Sequence, residues 1–146
     1  MLAMLCAWLI AQSAPAHEQF VVQAPKATLT LEIARTEAQR EYGLMNRHSL
    51  APHTGMVFVF PTDAQVAFWM KDTLIPLDMV FVGHNGTVRK IFSDVPVVDP
   101  ALPDDKIPLE TGRANYVIEL AAHEAAADGI IVGTKLTSLS ALSTNQ

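Results

Sequence analysis

Leu77-Asp78-Met79-Val80-Phe81-Val82-Gly83-His84-Asn85-Gly86-Thr87-Val88-Arg89-Lys90-Ile91-Phe92 carries the clearest strand-turn-strand pattern in the chain. Two runs rich in β-branched and aromatic residues flank an Asn-Gly pair. Both residues of that pair tolerate positive φ, so the segment predicts a hairpin with a type I′ turn between strands Leu77–Val82 and Thr87–Phe92. Upstream, Leu29, Leu31 and Ile33 alternate with smaller or polar residues and predict a strand over Thr28–Ala34. Thr36 and Gln39 have capping-box spacing, which predicts a short helix over Glu37–Tyr42 ended by Gly43. Gly55–Phe60, stopped by Pro61, and Val66–Met70 read as two further short strands.

Four prolines and several aspartates between Ser93 and Glu110 predict a long loop. Asn115–Leu120 reads as a strand, Ala121–Asp128 as an alanine-rich helical turn stopped by Gly129, and Lys135–Ser140 as an edge strand. The sum is mainly β: a compact β-sandwich or barrel of six or seven short strands with two short helices, rather than a parallel βαβ sheet. It forms a single domain over residues 28–140, preceded by a lead-in over 17–27 and followed by a frayed tail over 141–146.

Hydrophobic residues make up 50% and charged residues 17% of the chain, so it can bury a core. The net charge is −5, with no basic run, which argues against nucleic acid as a partner. No charged residue precedes Glu18. The apolar stretch Met1–Ala11 followed by Ala14-Pro15-Ala16 reads as a signal peptide cleaved after Ala16, which implies a periplasmic or secreted protein with no stable membrane span after removal. An uncleaved anchor is the alternative. Cleavage removes Cys6, the only cysteine, and with it disulfide and thiolate chemistry.

Gly43-Leu44-Met45-Asn46-Arg47, then Gly55-Met56-Val57-Phe58, then Trp69-Met70-Lys71-Asp72-Thr73-Leu74-Ile75-Pro76-Leu77-Asp78 follow one another in an order that resembles the bacterial and archaeal domain-of-unknown-function family 192 over residues 28–137. The resemblance implies a compact, mostly β fold and brings no established activity. Asp72 stands where that family usually has asparagine, and Gly133-Thr134 where glycine-aspartate is common.

Alternation along the strand before Lys71 puts Trp69 and Lys71 on one face, suited either to a cation–π contact or to the floor of a small-molecule groove. The plainer reading has Trp69 plugging one end of the barrel with Lys71 above it. Asp78 lies between apolar faces and needs a partner, for which Arg47 or Lys71 is the expected cation. A structural salt bridge accounts for that. The functional reading is a polar binding pocket of Arg47, Lys71, Thr73 and Asp78 beside Trp69, open to an anionic or hydroxylated ligand.

The five histidines, His17, His48, His53, His84 and His123, form no metal-ligand spacing on one element, and Met45, Met56, Met70 and Met79 read as core filling, so neither metal nor cofactor is expected. No nucleophile elbow, phosphate loop or dinucleotide fingerprint is present. The expected role is a monomeric ligand-binding or accessory module of the cell envelope, its partner a small molecule or envelope component. The alternatives are a small hydrolase of envelope polysaccharide, with Asp78 and Glu119 as its carboxylate pair, and a structural domain without a site.

Overall fold

Hydrophobic alternation builds one sheet with a core on each face. The computed structural model describes residues 17–143, so the signal peptide read over 1–16 and the last three residues of the tail lie outside the described residues. The strands are β1 (Gln19–Gln23), β2 (Thr28–Ala34), β3 (Thr54–Phe68), β4 (Leu77–Val82), β5 (Val88–Val95) and β6 (Glu110–Ala121). Their order across the sheet is β1-β2-β3-β6-β4-β5, so β1 and β5 are its edges. The mainly β class holds, and the sheet is open rather than closed into a barrel.

One face carries Leu29, Leu31, Val57, Val80, Val82, Ile118 and Leu120. The other carries Met56, Phe58, Phe68, Met79, Phe81 and Val117. Because successive side chains on a strand point oppositely, β4 and β6 are buried on both faces and read as nearly continuous apolar runs. The helix α1 (Glu37–Tyr42) begins with the full capping box of Thr36 and Gln39. The helix α2 (Glu124–Ala127) packs on the first face through Ala125. Among the described residues no helix is long and apolar enough to cross a membrane.

Five features depart from the sequence reading. The lead-in supplies a strand: β1 pairs antiparallel with β2, and it buries only Val22, which leaves too little alternation to read. Gly55–Phe60 and Val66–Met70 are parts of one strand, β3. Its pairing with β6 shifts between Val59 and Ala64, and Pro61 falls in that interruption, where its missing N–H costs no ladder bond. β2 and β3 are parallel, joined through α1, although every other pairing is antiparallel. In the β4–β5 turn only Gly86 has positive φ, while Asn85 Oδ1 accepts from Thr87 N at 3.1 Å, so the turn is not type I′.

The fifth departure is at the end of the chain. Lys135–Ser140 is not an edge strand: Lys135 makes one isolated bridge to Thr87, and Thr137–Ser143 is a 3₁₀ helix. Leu136, Leu139 and Leu142 recur every third residue and are buried together, the period of that helix. The last three described residues belong to it, and the Ser143 and Tyr116 hydroxyls hydrogen-bond.

Candidate functional site

β3 ends at Phe68 and the chain turns through Trp69–Thr73 over the second sheet face. Asp72 has φ +50°, a conformation that asparagine and aspartate tolerate better than most residues, so the aspartate at this position serves the turn as asparagine does. Thr73 Oγ1 donates to the Lys71 carbonyl at 3.1 Å, and Asn46 N donates to the Asp72 carbonyl at 2.9 Å. That last bond seats the segment after α1 against the turn. Gly43 makes the seating possible: at φ +49°, ψ −130° it leaves α1 with the Phe58 ring packed where a side chain would begin.

Between these segments lies a cleft of about 30 Å³, enough for a water or one small polar group. Trp69, Lys71, Thr73, Met45, Glu41 and Glu119 are among its lining residues. Trp69 is half-buried and also borders two open grooves outside the cleft. Lys71 Nζ stands 5.2 Å from the Trp69 ring centroid and pairs with Asp104, which holds its pKa above the usual lysine value.

Glu119, near the C-terminal end of β6, is only 5% exposed. Its carboxyl has no hydrogen-bond or ion-pair partner among the described residues. Burial pushes its pKa up to about 8, so at neutral pH it is mostly the neutral acid, able both to donate and to accept. A buried acid with a shifted pKa facing a cleft is a mark of functional sites.

The five residues expected to form one pocket are divided. Trp69, Lys71 and Thr73 line the cleft. Arg47 instead makes a bidentate pair with Glu32 of β2, at 2.6 and 2.7 Å. Asp78 faces the other core, and its expected cation is absent: Oδ1 accepts from Asp94 N at 2.8 Å and Oδ2 from Ala125 N at 3.0 Å. Asp78 pairs in register with Leu120 and Met79 with Glu119, so Asp78 and Glu119 project from opposite faces and form no hydrolytic pair. The signal for Glu119 is present in the sequence as a lone acid inside the apolar run Tyr116–Leu120.

The Arg47–Glu32 pair acts on stability. Arg47, through its hydrogen bond first and its charge second, holds the Glu32 pKa below the usual carboxylate value. Its contribution is present above pH 4.5 and lost as pH falls through the lowered pKa. Arg47→Met is expected to cost about 1 kcal/mol at pH 7 and less at pH 3, measured by urea denaturation.

The sequence pattern of DUF192, described as an uncharacterized ACR, matches residues 20–138. The chain belongs to that family. Two crystal structures share the DUF192 chain's architecture. A Sinorhizobium meliloti protein, described provisionally as a transcription regulator, is 32% identical with a TM-score of 0.74, over 84% of this chain and 95% of that one. A Novosphingobium aromaticivorans protein of unknown function is 29% identical with a TM-score of 0.69, over 85% and 92%. No curated protein matches the chain. The glycine-leucine-methionine box and the Trp69–Thr73 turn of this DUF192 member are the two segments that close the cleft over Glu119.

Proposed function

We propose that this DUF192 protein is a ligand-binding module that receives a hydroxyl group of its ligand in the Glu119 cleft. The observation that carries the reading is the Glu119 carboxyl, buried, neutral and without a protein partner at the cleft. The cleft has room for one water on that carboxyl, and a ligand hydroxyl in its place makes the same bonds. The half-exposed Trp69 indole offers a stacking surface for the apolar face of a sugar ring, with the Lys71 ammonium beside it. The cleft holds one polar group, and the rest of the ligand lies in the open grooves by Trp69. With the N-terminal segment read as a signal, we place this module in the cell envelope, as a monomer. A role in transcription is not carried over from the S. meliloti protein, because a net charge of −5 disfavours phosphate neutralisation.

NMR titration with neutral oligosaccharides tests the reading. Shifts concentrated at the Trp69 indole and at Thr73, and lost in Trp69→Ala, support it. Shifts elsewhere, or none across the panel, oppose it. The exposed Glu41 lines the same cleft as Glu119, and two carboxyl groups at one cleft favour a hydrolase. Cleaved product in the same titration would decide for that reading.

A stability prediction follows from the raised Glu119 pKa. Unfolded, the group ionises above pH 4.5, whereas folded it holds its proton up to about 8. The native state therefore binds more protons in that window, and stability falls as pH rises through it. Glu119→Gln is expected to be near neutral at pH 4.5 and stabilising by roughly 4 kcal/mol at pH 8, read from urea denaturation at the two pH values.

A further inference from the structure

A second group of side chains converges beside α2, which packs on the sheet face opposite Glu119. His53 lies in the turn entering β3, and Glu124 and Asp128 are four residues apart at the start and just past the end of α2. His53 Nδ1 is 3.0 Å from Glu124 Oε1 and 2.9 Å from Asp128 Oδ1. That nitrogen carries at most one hydrogen, so it cannot fully satisfy two carboxylates. Asp128 is 1% exposed, and its Oδ2 is buried without a hydrogen-bond partner. Two carboxylates crowded on one imidazole, with a buried oxygen left over, form an unfavourable arrangement that a proton or a metal ion between them relieves.

The spacing is close to that of a zinc site. Ligand atoms about 2.1 Å from a tetrahedral zinc lie roughly 3.4 Å apart, so both nitrogen–oxygen separations need open by only a few tenths of an ångström. The three candidate ligand atoms all fall within 4.8 Å of one another. The backbone fixes them. The His53 carbonyl accepts from Thr30 N at 2.9 Å, and its own N–H donates to Glu124 Oε1 at 2.9 Å. The Asp128 carbonyl accepts from Lys26 N at 3.0 Å, and Asp78 holds the adjacent Ala125 N.

We propose that His53, Glu124 and Asp128 bind a divalent transition metal, with zinc the best-matched ion. One imidazole and two carboxylates suit zinc or its neighbours, whereas magnesium and calcium prefer all-oxygen ligands. Three protein ligands leave a position for water, and the exposed edge of His53 gives it access to solvent. The sequence hides this set because His53 is 71 residues from Glu124, and only the i, i+4 pair on α2 is local.

The test uses chelator-treated full-length protein titrated with zinc chloride, followed by calorimetry and thermal melts. The expected result is one tight site and a Tm increase of about 5 °C at a hundredfold excess over Kd. His53→Gln and Asp128→Asn should each weaken that binding at least tenfold. Magnesium chloride should leave Tm unchanged. In metal-free protein Asp128→Asn should melt no lower than wild type, whereas a purely structural hydrogen bond predicts a lower Tm. No zinc-dependent rise in Tm, or binding undiminished by both substitutions as at Cys6 or another histidine, overturns the proposal.

Discussion

Asp78→Ala is expected to lower stability by about 4 kcal/mol, because it strips one buried and one half-buried backbone amide of a carboxylate acceptor. Asp78 is 1% exposed and joins three elements. From β4 it accepts from Asp94 N in β5 and from Ala125 N in α2. Asp94 itself has φ +52°, so its amide is held in a left-handed conformation at the β4–β5 register shift that the carboxylate helps to fix. Alanine leaves the Ala125 N–H unpaired in the core, where water cannot replace the lost oxygen, and the Asp94 N–H unpaired at the edge strand. Asparagine should recover at most half the loss, since its amide nitrogen meets one of the two N–H groups. The effect should be additive with Arg47→Met within about 0.5 kcal/mol, because the two residues share no partner. Urea denaturation of the single and double variants checks both statements. A loss below 1 kcal/mol would mean that the freed amides reach solvent.

Gly55→Ala is expected to cost more than 3 kcal/mol or to prevent folding. A Cβ built at Gly55 would stand 2.0 Å from the Glu119 carbonyl oxygen and 3.0 Å from Leu120 Cδ2. Both obstacles are in β6, paired to β3 at the centre of the sheet. The backbone must separate by more than an ångström there, which breaks ladder bonds on strands buried on both faces. This is the physical reason for glycine at the start of the Gly55-Met56-Val57-Phe58 box. Thermal melts of Gly55→Ala beside Gly133→Ala provide the contrast. Gly133 has positive φ but nothing within 4 Å of an added Cβ, so its substitution carries backbone strain without a clash.

The local elements were legible because their signals are local. Thr36 and Gln39 cap α1 within four residues, and the alternation of β2 and the apolar run of β4 give the bounds of those strands directly. What the sequence could not convey was pairing. Pro61 reads as a strand terminator, yet a shift in the β3–β6 register gives it a place without breaking β3. Phe20 and Val22 look like a lead-in until β2 supplies the edge they complete. The candidate site was half legible for the same reason. Trp69, Lys71 and Thr73 are neighbours in the chain and line one cleft. The partners of Arg47 and Asp78 are set by strand order and by which sheet face each residue takes: Glu32 claims the first, and backbone amides of β5 and α2 claim the second. Glu119 came within reach of Trp69 only through β6, whose central position no local pattern announces.

Glu119 stands as a neutral, unpartnered acid at the cleft beside Trp69. Carbon-13 NMR of the glutamate side-chain carboxyls, assigned with Glu119→Gln, measures it directly across pH 3 to 10. One carboxyl should titrate near pH 8, with the Trp69 indole resonance moving at the same midpoint. A Glu119 midpoint between 4 and 5, or an indole unmoved as Glu119 ionises, would contradict it.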